Sequence, residues 1–322
     1  MSVPTKPGPN PGTRPDSMSG LLQIAKAPWF KPVAVTVALV VLFGVAVVVA
    51  RFLRGLQPVE DFIATYHGTT TLPDSAPKGI PAWLGWQHFL NMFFLLFIIR
   101  SGWQIRNSSL PMNWKRKKPN WLFRISGKKI NLAIWWHLNW DTLWILNGLV
   151  FLVLIFVTGQ WMRLVPLGWD AFPNALSVAL QYLSLDWPLE NGWVNYNSLQ
   201  LLTYFVTVFL ATPLAIITGI RMSPAFQARA TKAATVFPMT IARKIHFLVM
   251  LWFVVFIVIH VTLVFATGAL RNLNHMYAAQ DNDGWLGFWI FLASMLGLVG
   301  GWFAASPFVI RYFASFSGNV TR

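Results

Sequence analysis

Six long apolar runs, separated by polar connections, dominate the pattern along the chain. They cover residues 33–52, 82–99, 133–158, 199–219, 245–267 and 285–305. A helix needs about 17 to 25 mostly apolar residues to cross a hydrocarbon core about 30 Å thick, and each run meets that requirement. The pattern therefore predicts an all-α fold, a polytopic membrane helical bundle of six transmembrane helices. They are numbered span 1 to span 6 in chain order.

Span 5 carries two histidines whose spacing gives the first indication of chemistry. His246 and His260 lie fourteen residues apart in an uncharged run. With a rise of about 1.5 Å and a turn of about 100° per residue, they are about 21 Å apart along the helix and point within about 40° of each other. Span 5 therefore presents two imidazoles on one face, at two depths of the membrane.

Composition supports a membrane protein and limits its redox chemistry. Of 322 residues, 56% are hydrophobic and 11% are charged, which is too little polar surface for a soluble globule of this size. The chain has no cysteine, which excludes disulfides, thiolate-held iron–sulfur clusters and covalent CxxCH haem attachment. A redox centre would have to be held by histidine or methionine.

The net charge of +15 is concentrated in two connections and predicts the topology. The connections between spans 2 and 3 and between spans 4 and 5 hold Arg100, Arg106, Lys115, Arg116, Lys117, Lys118, Arg124, Lys128, Lys129, Arg221, Arg229, Lys232, Arg243 and Lys244. Because cytoplasmic connections carry the excess of Lys and Arg, we expect both connections and both termini in the cytoplasm. This side is called inner, and the other outer. The pattern accounts for the charge without nucleic acid as a partner.

The chain is expected to have four parts. Residues 1–27, rich in Pro, Gly and Ser, are predicted to be a disordered cytoplasmic tail. Residues 28–81 contain span 1, which lacks a signal-peptide cleavage site, and an outer loop. Residues 82–268 contain a four-helix core, and residues 269–322 contain span 6 and a tail.

Three spans end in a Thr-Gly dipeptide followed closely by arginine. The glycines are Gly159, Gly219 and Gly268, and the arginines are Arg163, Arg221 and Arg271. The simplest interpretation is a glycine that caps the helix C-terminus and an arginine that extends to the membrane interface. The alternative is that some of these arginines bind an anionic group near the headgroups.

Four of the six histidines fall within or at the end of predicted spans, where ionisable side chains are costly and are candidates for function. His88 of span 2 and His260 both lie near the outer ends of their spans. His137 of span 3 and His246 each precede the Thr-Gly glycine of their own span by twenty-two residues. The four histidines are therefore predicted to form one pair at each of two depths. His88 and His260 form the outer pair, and His137 and His246 form the inner pair.

Two facing imidazoles are the axial ligands that a six-coordinate b-type haem requires when no cysteine fixes the ring. Zinc or copper is the competing occupant, but such a site needs three or four converging ligands, and only two are predicted at each level. For any single histidine, the simple alternative is a hydrogen bond to a neighbouring helix. The pattern favours two haem b groups with these four histidines as iron ligands.

Other charged residues at the same levels are candidate haem neighbours. The bases that could meet haem propionates are Arg100, Arg243 and Lys244 at the inner level and Arg51, Arg54 and Arg271 at the outer level. Asp141, one turn after His137, is an acid inside a predicted span. It either relays protons to or from a quinone or pairs with a lysine or a tryptophan N–H.

Further polar residues have simpler interpretations. His67 and His275, in outer connections, line a quinone or partner site or are ordinary interfacial residues. Asn139 and Asn147 are predicted to donate interhelical hydrogen bonds. The tryptophan-rich outer segment 164–197 is a candidate docking surface or interfacial helix.

The order of histidines along spans 2 to 5 resembles a known family. Span 2 carries one candidate ligand, span 3 carries one, span 4 carries none, and span 5 carries two that lie fourteen residues apart. The stretches that contain them are WLGWQHFLNMFF, IWWHLNWDTLW and KIHFLVMLWFVVFIVIHV. This pattern resembles the bacterial cytochrome b561 and nickel-hydrogenase b-subunit superfamily, which includes the gamma subunit of formate dehydrogenase. The whole chain is similar to actinobacterial proteins described as cytochrome b/b6 domain-containing, some of them encoded near molybdopterin oxidoreductases.

The resemblance implies a di-haem subunit of a bacterial plasma membrane that carries electrons between a quinone pool and a partner oxidoreductase. The partners would be membrane lipid, quinone or quinol, and an oxidoreductase subunit such as a molybdopterin enzyme. Spans 1 and 6 are additional to the family's four-helix core, and span 1 reverses the orientation of that core. The resemblance therefore does not imply which face binds the partner or which haem lies nearest the quinone.

The predicted function is electron transfer by two haem groups, as a subunit of a membrane oxidoreductase rather than a self-contained enzyme. The alternative is a haem-free membrane protein, either a transporter or an anchoring or assembly subunit, whose histidines are structural or relay protons. A single kinking proline, Pro213, and no visible inverted repeat argue against a transporter.

Overall fold

Six membrane-length helices are present in the computed structural model, which describes residues 27–117, 129–187, 191–227 and 236–322. Spans 1 to 6 are Phe30–Arg54, Ala82–Arg106, Leu132–Val157, Ser198–Met222, Met239–Ala266 and Leu286–Ala304. By length and composition each can cross a membrane, so the predicted all-α polytopic fold is confirmed. Residues 1–26 of the predicted tail lie outside the described residues, as do the predicted cytoplasmic bases Lys118, Arg124, Lys128, Arg229 and Lys232.

Shorter helices lie in the connections and after span 6. They are Gln57–Thr65, the 3-10 turn Gln160–Arg163, Ala171–Leu183, Pro224–Gln227, Ala269–Leu273, the π-helical turn Asn274–Ala278 and Pro307–Ser317. Span 4 contains a second π-helical turn, Val206–Ala211, directly before Pro213. Proline has no N–H and its ring crowds the preceding turn, so a regular α-helix cannot continue through it without a local adjustment. The hydroxyl of Thr212 donates to the carbonyl oxygen of Thr207 at this adjustment, at 2.9 Å.

The chain divides into two compact units, of which the first comprises the described part of Met1–Asp61 together with Leu180–Asp186. It contains span 1, most of whose apolar side chains are exposed, as in a helix that faces lipid. Arg51 donates to the carbonyl oxygen of Ser184 at 3.0 Å. Arg54 pairs with Asp186 at 2.7 Å. These two arginines, predicted as propionate partners, are therefore engaged within their own unit.

The second unit, Phe62–Ala179 and Trp187–Arg322, contains spans 2 to 6. Span 2 packs along span 3, and span 4 packs along span 5. Phe97, Leu132 and Trp136 are buried where spans 2 and 3 meet. Span 6 reaches span 2 through Gly301, where an added Cβ would lie 3.2 Å from the ring of Phe97.

A small antiparallel sheet, which the sequence analysis did not predict, lies at the inner ends of the spans in this unit. Its order is β2–β1–β3, with β1 Asn113–Arg116, β2 Ile130–Asn131 and β3 Gly318–Thr321. Trp114 of β1 is opposite Ile130 and Val320, and its indole N–H donates to the carbonyl oxygen of Ala314 at 3.1 Å. This bond ties the sheet to the helix Pro307–Ser317.

The three Thr-Gly dipeptides are not equivalent. Gly159 and Gly268 follow the last turns of spans 3 and 5 with φ values of 74° and 120°, a region that favours glycine. Gly219 instead lies inside span 4, which continues to Met222. The predicted glycine cap is therefore wrong at Gly219, whose missing side chain needs another explanation.

Two of the three predicted interfacial arginines are buried. Arg163 is 1% exposed and donates to the carbonyl oxygens of Gly79 at 2.5 Å and Gly192 at 2.6 Å. Arg221 is 7% exposed and donates to the carbonyl oxygen of Phe237 at 2.6 Å. Both guanidinium groups stabilise connecting segments by donating to backbone carbonyl oxygens there. The prediction that they extend to the membrane interface is wrong for both.

Candidate functional site

The four histidines of the predicted spans form two pairs, in the combinations expected from their levels. The ring centroids of His88 and His260 are 6.2 Å apart, with ring planes inclined by 52°. Those of His137 and His246 are 6.4 Å apart, with planes inclined by 70°. Span 5 contributes one ring to each pair, while span 2 supplies the second ring of the outer pair and span 3 that of the inner pair.

Each pair joins two sets of packed helices. Spans 2 and 3 pack along each other, as do spans 4 and 5. Within the described residues, the backbone of span 5 does not run close to span 2 or span 3 along its length. The histidine rings therefore meet between helices whose contact is made by side chains.

Aromatic side chains fill the region between the two levels. Phe253 lies seven residues after His246 and seven before His260. Its ring meets that of Trp144 edge to face at 6.1 Å, and both side chains are buried. Trp144 lies seven residues after His137 on span 3, so this contact packs the two helices midway between the pairs.

The inner pair is held by hydroxyl groups from the neighbouring spans. The Oγ of Ser101 on span 2 lies 2.8 Å from Nδ1 of His137. The Oγ1 of Thr218 on span 4 lies 2.9 Å from Nδ1 of His246. Each inner ring thus has its Nδ1 occupied, and its Nε2 is the nitrogen left for another partner.

A glycine follows each of these hydroxyl residues and lies beside the same ring. A Cβ added to Gly102 would lie 3.5 Å from Cε1 of His137, and one added to Gly219 would lie 3.7 Å from Cε1 of His246. The two inner rings therefore lie on equivalent hydroxyl–glycine pairs of spans 2 and 4. Gly219, which lies inside span 4 and does not cap it, therefore lies beside the inner pair.

Asp141 lies beside the inner pair. Its Oδ2 is 3.6 Å from Nε2 of His137, longer than a hydrogen bond, and its side chain is 25% exposed. Asp141 therefore lies beside a histidine ring, and among the described residues no lysine or indole pairs with it. The proton-relay role stays a prediction.

The outer pair is surrounded by aromatic rings instead of hydroxyl groups. His260 stacks on Phe256, with centroids 5.4 Å apart and planes inclined by 14°, and meets Tyr204 at 6.2 Å. The ring of Tyr277 meets His88 edge-on at 6.0 Å. The Nδ1 of His88 is buried and has no hydrogen-bond partner among the described residues.

Tyr277 belongs to the π-helical turn Asn274–Ala278, which closes the outer end of the site. A Cβ on Gly85 of span 2 would clash with the backbone oxygen of Met276, so only glycine allows this close approach. The Tyr277 hydroxyl lies 3.7 Å from the sulfur of Met92, and burial raises the pKa of Tyr277 to about 12. The turn is thereby fixed against span 2, three residues from His88.

A polar cluster around the buried His275 supports the same turn. His275, only 5% exposed, has its Nε2 2.8 Å from Oδ1 of Asp281, and its ring packs on that of Trp193. The Nε of Arg271 lies 2.8 Å from the same oxygen. Hydrogen bonds from Arg271 and His275 hold the pKa of the Asp281 carboxyl well below its usual range. His275 is therefore buried rather than interfacial, whereas His67 is exposed.

The predicted inner propionate partners differ in their surroundings. Arg100 donates to the carbonyl oxygens of Trp302 and, at 2.9 Å, Ala305, and its guanidinium lies 4.4 Å from the Trp302 ring centroid. It therefore holds the end of span 6. Arg243 and Lys244 are exposed near the start of span 5. A role for these three residues in haem binding stays a prediction.

The two asparagines of span 3 do not behave alike. Asn139 donates to the carbonyl oxygen of Trp135 in its own helix at 2.7 Å, so its predicted interhelical bond is wrong. The Nδ2 of Asn147 is buried without a hydrogen-bond partner in the part of the chain that the structure describes. In the segment 164–197, the helix Ala171–Leu183 exposes Phe172 and Leu176, as an interfacial helix would.

Among the described residues, no group of three or more His, Cys, Asp or Glu side chains could hold a metal ion. No protein-family model matches the chain, and comparisons with curated proteins and with solved structures return no significant match.

Proposed function

We propose that this protein is a di-haem b-type cytochrome subunit that transfers electrons across the membrane. His88 and His260 would hold the outer haem, and His137 and His246 the inner one. The proposal depends chiefly on one observation, the separation of the two rings within each pair.

The separation fits one metal ion between two imidazoles. A ring nitrogen binds a first-row transition metal at about 2.0 Å and lies about 1.1 Å from its ring centroid, so two opposed imidazoles have centroids about 6.2 Å apart. The observed values are 6.2 Å and 6.4 Å. A direct hydrogen bond between two rings would bring the centroids to about 5 Å. The rings are thus too far apart for a direct hydrogen bond, and their separation matches that of two imidazoles whose facing nitrogens share a metal.

The surroundings also fit a flat group between the rings. Each pair joins two different helices, and Gly102 and Gly219 place no side chain beside the inner rings. With only two ligands at each level, four equatorial positions would have to come from a ligand such as a porphyrin. Zinc and copper sites usually take three or four protein ligands, which disfavours them here.

When bound, haem would supply reversible one-electron chemistry, and the chain's own residues would position the two sites. The spacing of His246 and His260 sets the sites about 21 Å apart along span 5. Trp144 and Phe253 keep the space between them packed and apolar. The resemblance stated above supplies the electron partners in this proposal, a quinone pool and a partner oxidoreductase, with the basic connections in the cytoplasm.

A reduced-minus-oxidised absorption spectrum of the purified full-length protein, with haem counted per chain, tests the proposal. We expect a b-type α-band and two haems per chain. His260→Ala should leave one haem, bound at the inner level, and His246→Ala should leave one, bound at the outer level. Each loss is expected because the remaining histidine is a single axial ligand.

Two results would contradict the proposal. A wild-type protein without b-type absorption would favour a haem-free transporter or anchoring subunit. Two haems per chain in either alanine variant would show that the histidine pairs are not the ligands. His67→Ala is the control, because His67 is exposed and belongs to neither pair.

A further inference from the structure

We propose that Ser101 and Thr218 are positioning residues that fix both inner histidines in the Nδ1–H tautomer and give the inner site a lower reduction potential than the outer site. The inference rests on the proposed di-haem function. It concerns two hydroxyl groups that contact the histidines and not the metal.

The protons of the hydroxyl groups are already used within their own helices. The Oγ of Ser101 lies 2.6 Å from the carbonyl oxygen of Phe97 and 3.0 Å from that of Ile98. A hydroxyl has one proton, and two oxygens at 2.6 Å without a proton between them would repel each other. Ser101 therefore donates to the backbone of span 2, and its oxygen accepts from Nδ1–H of His137.

Thr218 repeats this arrangement on span 4. Its Oγ1 lies 2.6 Å from the carbonyl oxygen of Leu214 and 3.1 Å from that of Ala215. The residues involved are again three and four positions earlier in the same helix. The oxygen of Thr218 therefore accepts from Nδ1–H of His246.

This assignment decides which nitrogen of each inner ring can bind a metal. A neutral imidazole carries one N–H and one acceptor nitrogen. With Nδ1 protonated on both rings, the lone pairs of His137 and His246 are on Nε2. Histidines that bind metals commonly donate their other N–H to a fixed acceptor, which sets tautomer and ring orientation.

The same bonds affect the electron affinity of the inner site. An acceptor at Nδ1–H makes the imidazole a more basic ligand, which stabilises the more highly charged oxidised iron and lowers the reduction potential. The outer pair lacks this support at His88, whose Nδ1 has no partner in the described residues. His260 is stacked on an aromatic ring. The inner site should therefore be the one with the lower potential.

The first experiment measures the reduction potentials of both haems by spectroelectrochemical titration. Ser101→Ala and Thr218→Val remove the hydroxyl groups, while Ser101→Thr and Thr218→Ser retain them. We expect each removal to raise the reduction potential of the lower-potential haem. At a fixed applied potential its reduced-to-oxidised ratio should rise about threefold to tenfold, and tenfold corresponds to about 59 mV for one electron. The other haem should not change, and the retaining variants should restore the wild-type value.

Two exposed residues provide matched controls for loss of a helix-bonded hydroxyl. Ser294 of span 6 and Thr36 of span 1 donate to carbonyl oxygens four residues earlier and are exposed. Ser294→Ala and Thr36→Val should leave both potentials unchanged. Three results would overturn the assignment. Removal of a hydroxyl group could shift the potential of the higher-potential haem instead, or shift both potentials equally, or the control variants could show a shift of the same size.

The second experiment reads the tautomer directly and does not require haem. Nitrogen-15 spectra of haem-depleted protein labelled at histidine should show His137 and His246 as Nδ1–H tautomers. The signals of each histidine are assigned by their absence from the spectrum of the variant in which that histidine is replaced by alanine. Ser101→Ala should change the tautomer mixture of His137 alone. An Nε2–H tautomer at both positions would overturn the inference. If wild-type protein binds no haem, the proposed function fails, and these spectra still decide the role of the hydroxyl groups.

Discussion

The inner and outer histidine pairs have nearly the same ring separation and share span 5, but different parts of the molecule support them. Hydroxyl groups and glycines of spans 2 and 4 contact the inner rings. Aromatic rings contact the outer ones, and one of these, Tyr277, comes from a connecting segment. The inner pair is therefore set by packed membrane helices, whereas the outer pair also depends on how the segment between spans 5 and 6 folds.

This difference predicts unequal sensitivity to changes in that connection. Backbone bonds within a span are satisfied by the span itself, but a connecting segment needs side chains to pair its polar groups. Asn274 does this for the turn that carries Tyr277. It is fully buried, accepts from the N–H of Gly287 at 2.6 Å and donates to the carbonyl oxygen of Gly284 at 2.6 Å.

Asn274→Ala should have the largest effect among the variants that do not touch a histidine. It removes the partner of the buried N–H of Gly287 and of the partly buried carbonyl oxygen of Gly284, and an unpaired buried group costs about 1–3 kcal/mol. We expect the outer haem to be lost or released at much lower temperature, while the inner haem is retained, as measured by haem content and by thermal loss of each α-band component. Asn139→Ala is the control, since Asn139 bonds only its own helix among the contacts seen. Equal loss of both haems would remove the distinction between the two regions.

Phe256→Leu tests the aromatic support of the outer pair with a smaller expected effect. Leucine keeps an apolar side chain but removes the ring that stacks on His260. Such aromatic contacts contribute about 0.5–1.5 kcal/mol, so haem affinity at the outer site should fall by up to about tenfold. Competition with a haem-binding acceptor protein would measure it. The inner haem should be unaffected. Phe303→Leu, which changes an exposed ring of span 6, should change neither haem. An effect of Phe256→Leu on the inner haem would contradict the view that Phe256 supports the outer pair locally.

The spans and the levels of the histidines could be predicted because they follow from helical periodicity. Fourteen residues return a helix to nearly the same face, and equal distances from the span ends place His137 and His246 at one depth. The hydroxyl contacts could not be derived in this way, since Ser and Thr inside helices usually bond only to their own backbone. A signal was nevertheless present: Ser101-Gly102 and Thr218-Gly219 occur near the same end of two spans that run in the same direction.

The connections were predicted less well, for a physical reason. Whether Arg163 or His275 is buried depends on which distant carbonyl or carboxylate oxygens the folded chain brings near it. Arg163 meets Gly79, which is far away in sequence, and His275 meets Asp281 across the end of a π-helical turn. The strands β1 and β3 have four residues each, too few to show a clear alternation of polar and apolar positions.

The smallest effect is expected where a methyl group is added beside the inner rings. In Gly102→Ala and Gly219→Ala the new Cβ would lie 3.5 Å and 3.7 Å from Cε1 of His137 and His246, which is ordinary van der Waals contact. Alanine also favours the helix by about 1 kcal/mol. We therefore expect both haems to be retained, with a thermal unfolding temperature equal to or slightly above that of wild type. Gly148→Ala, where the added Cβ meets no atom within 4 Å, separates the effect on the helix from that on the ring. Loss of the inner haem in the first two variants but not in Gly148→Ala would mean that the bound group itself needs this space, and the inner site would then be defined by its glycines as much as by its hydroxyl groups.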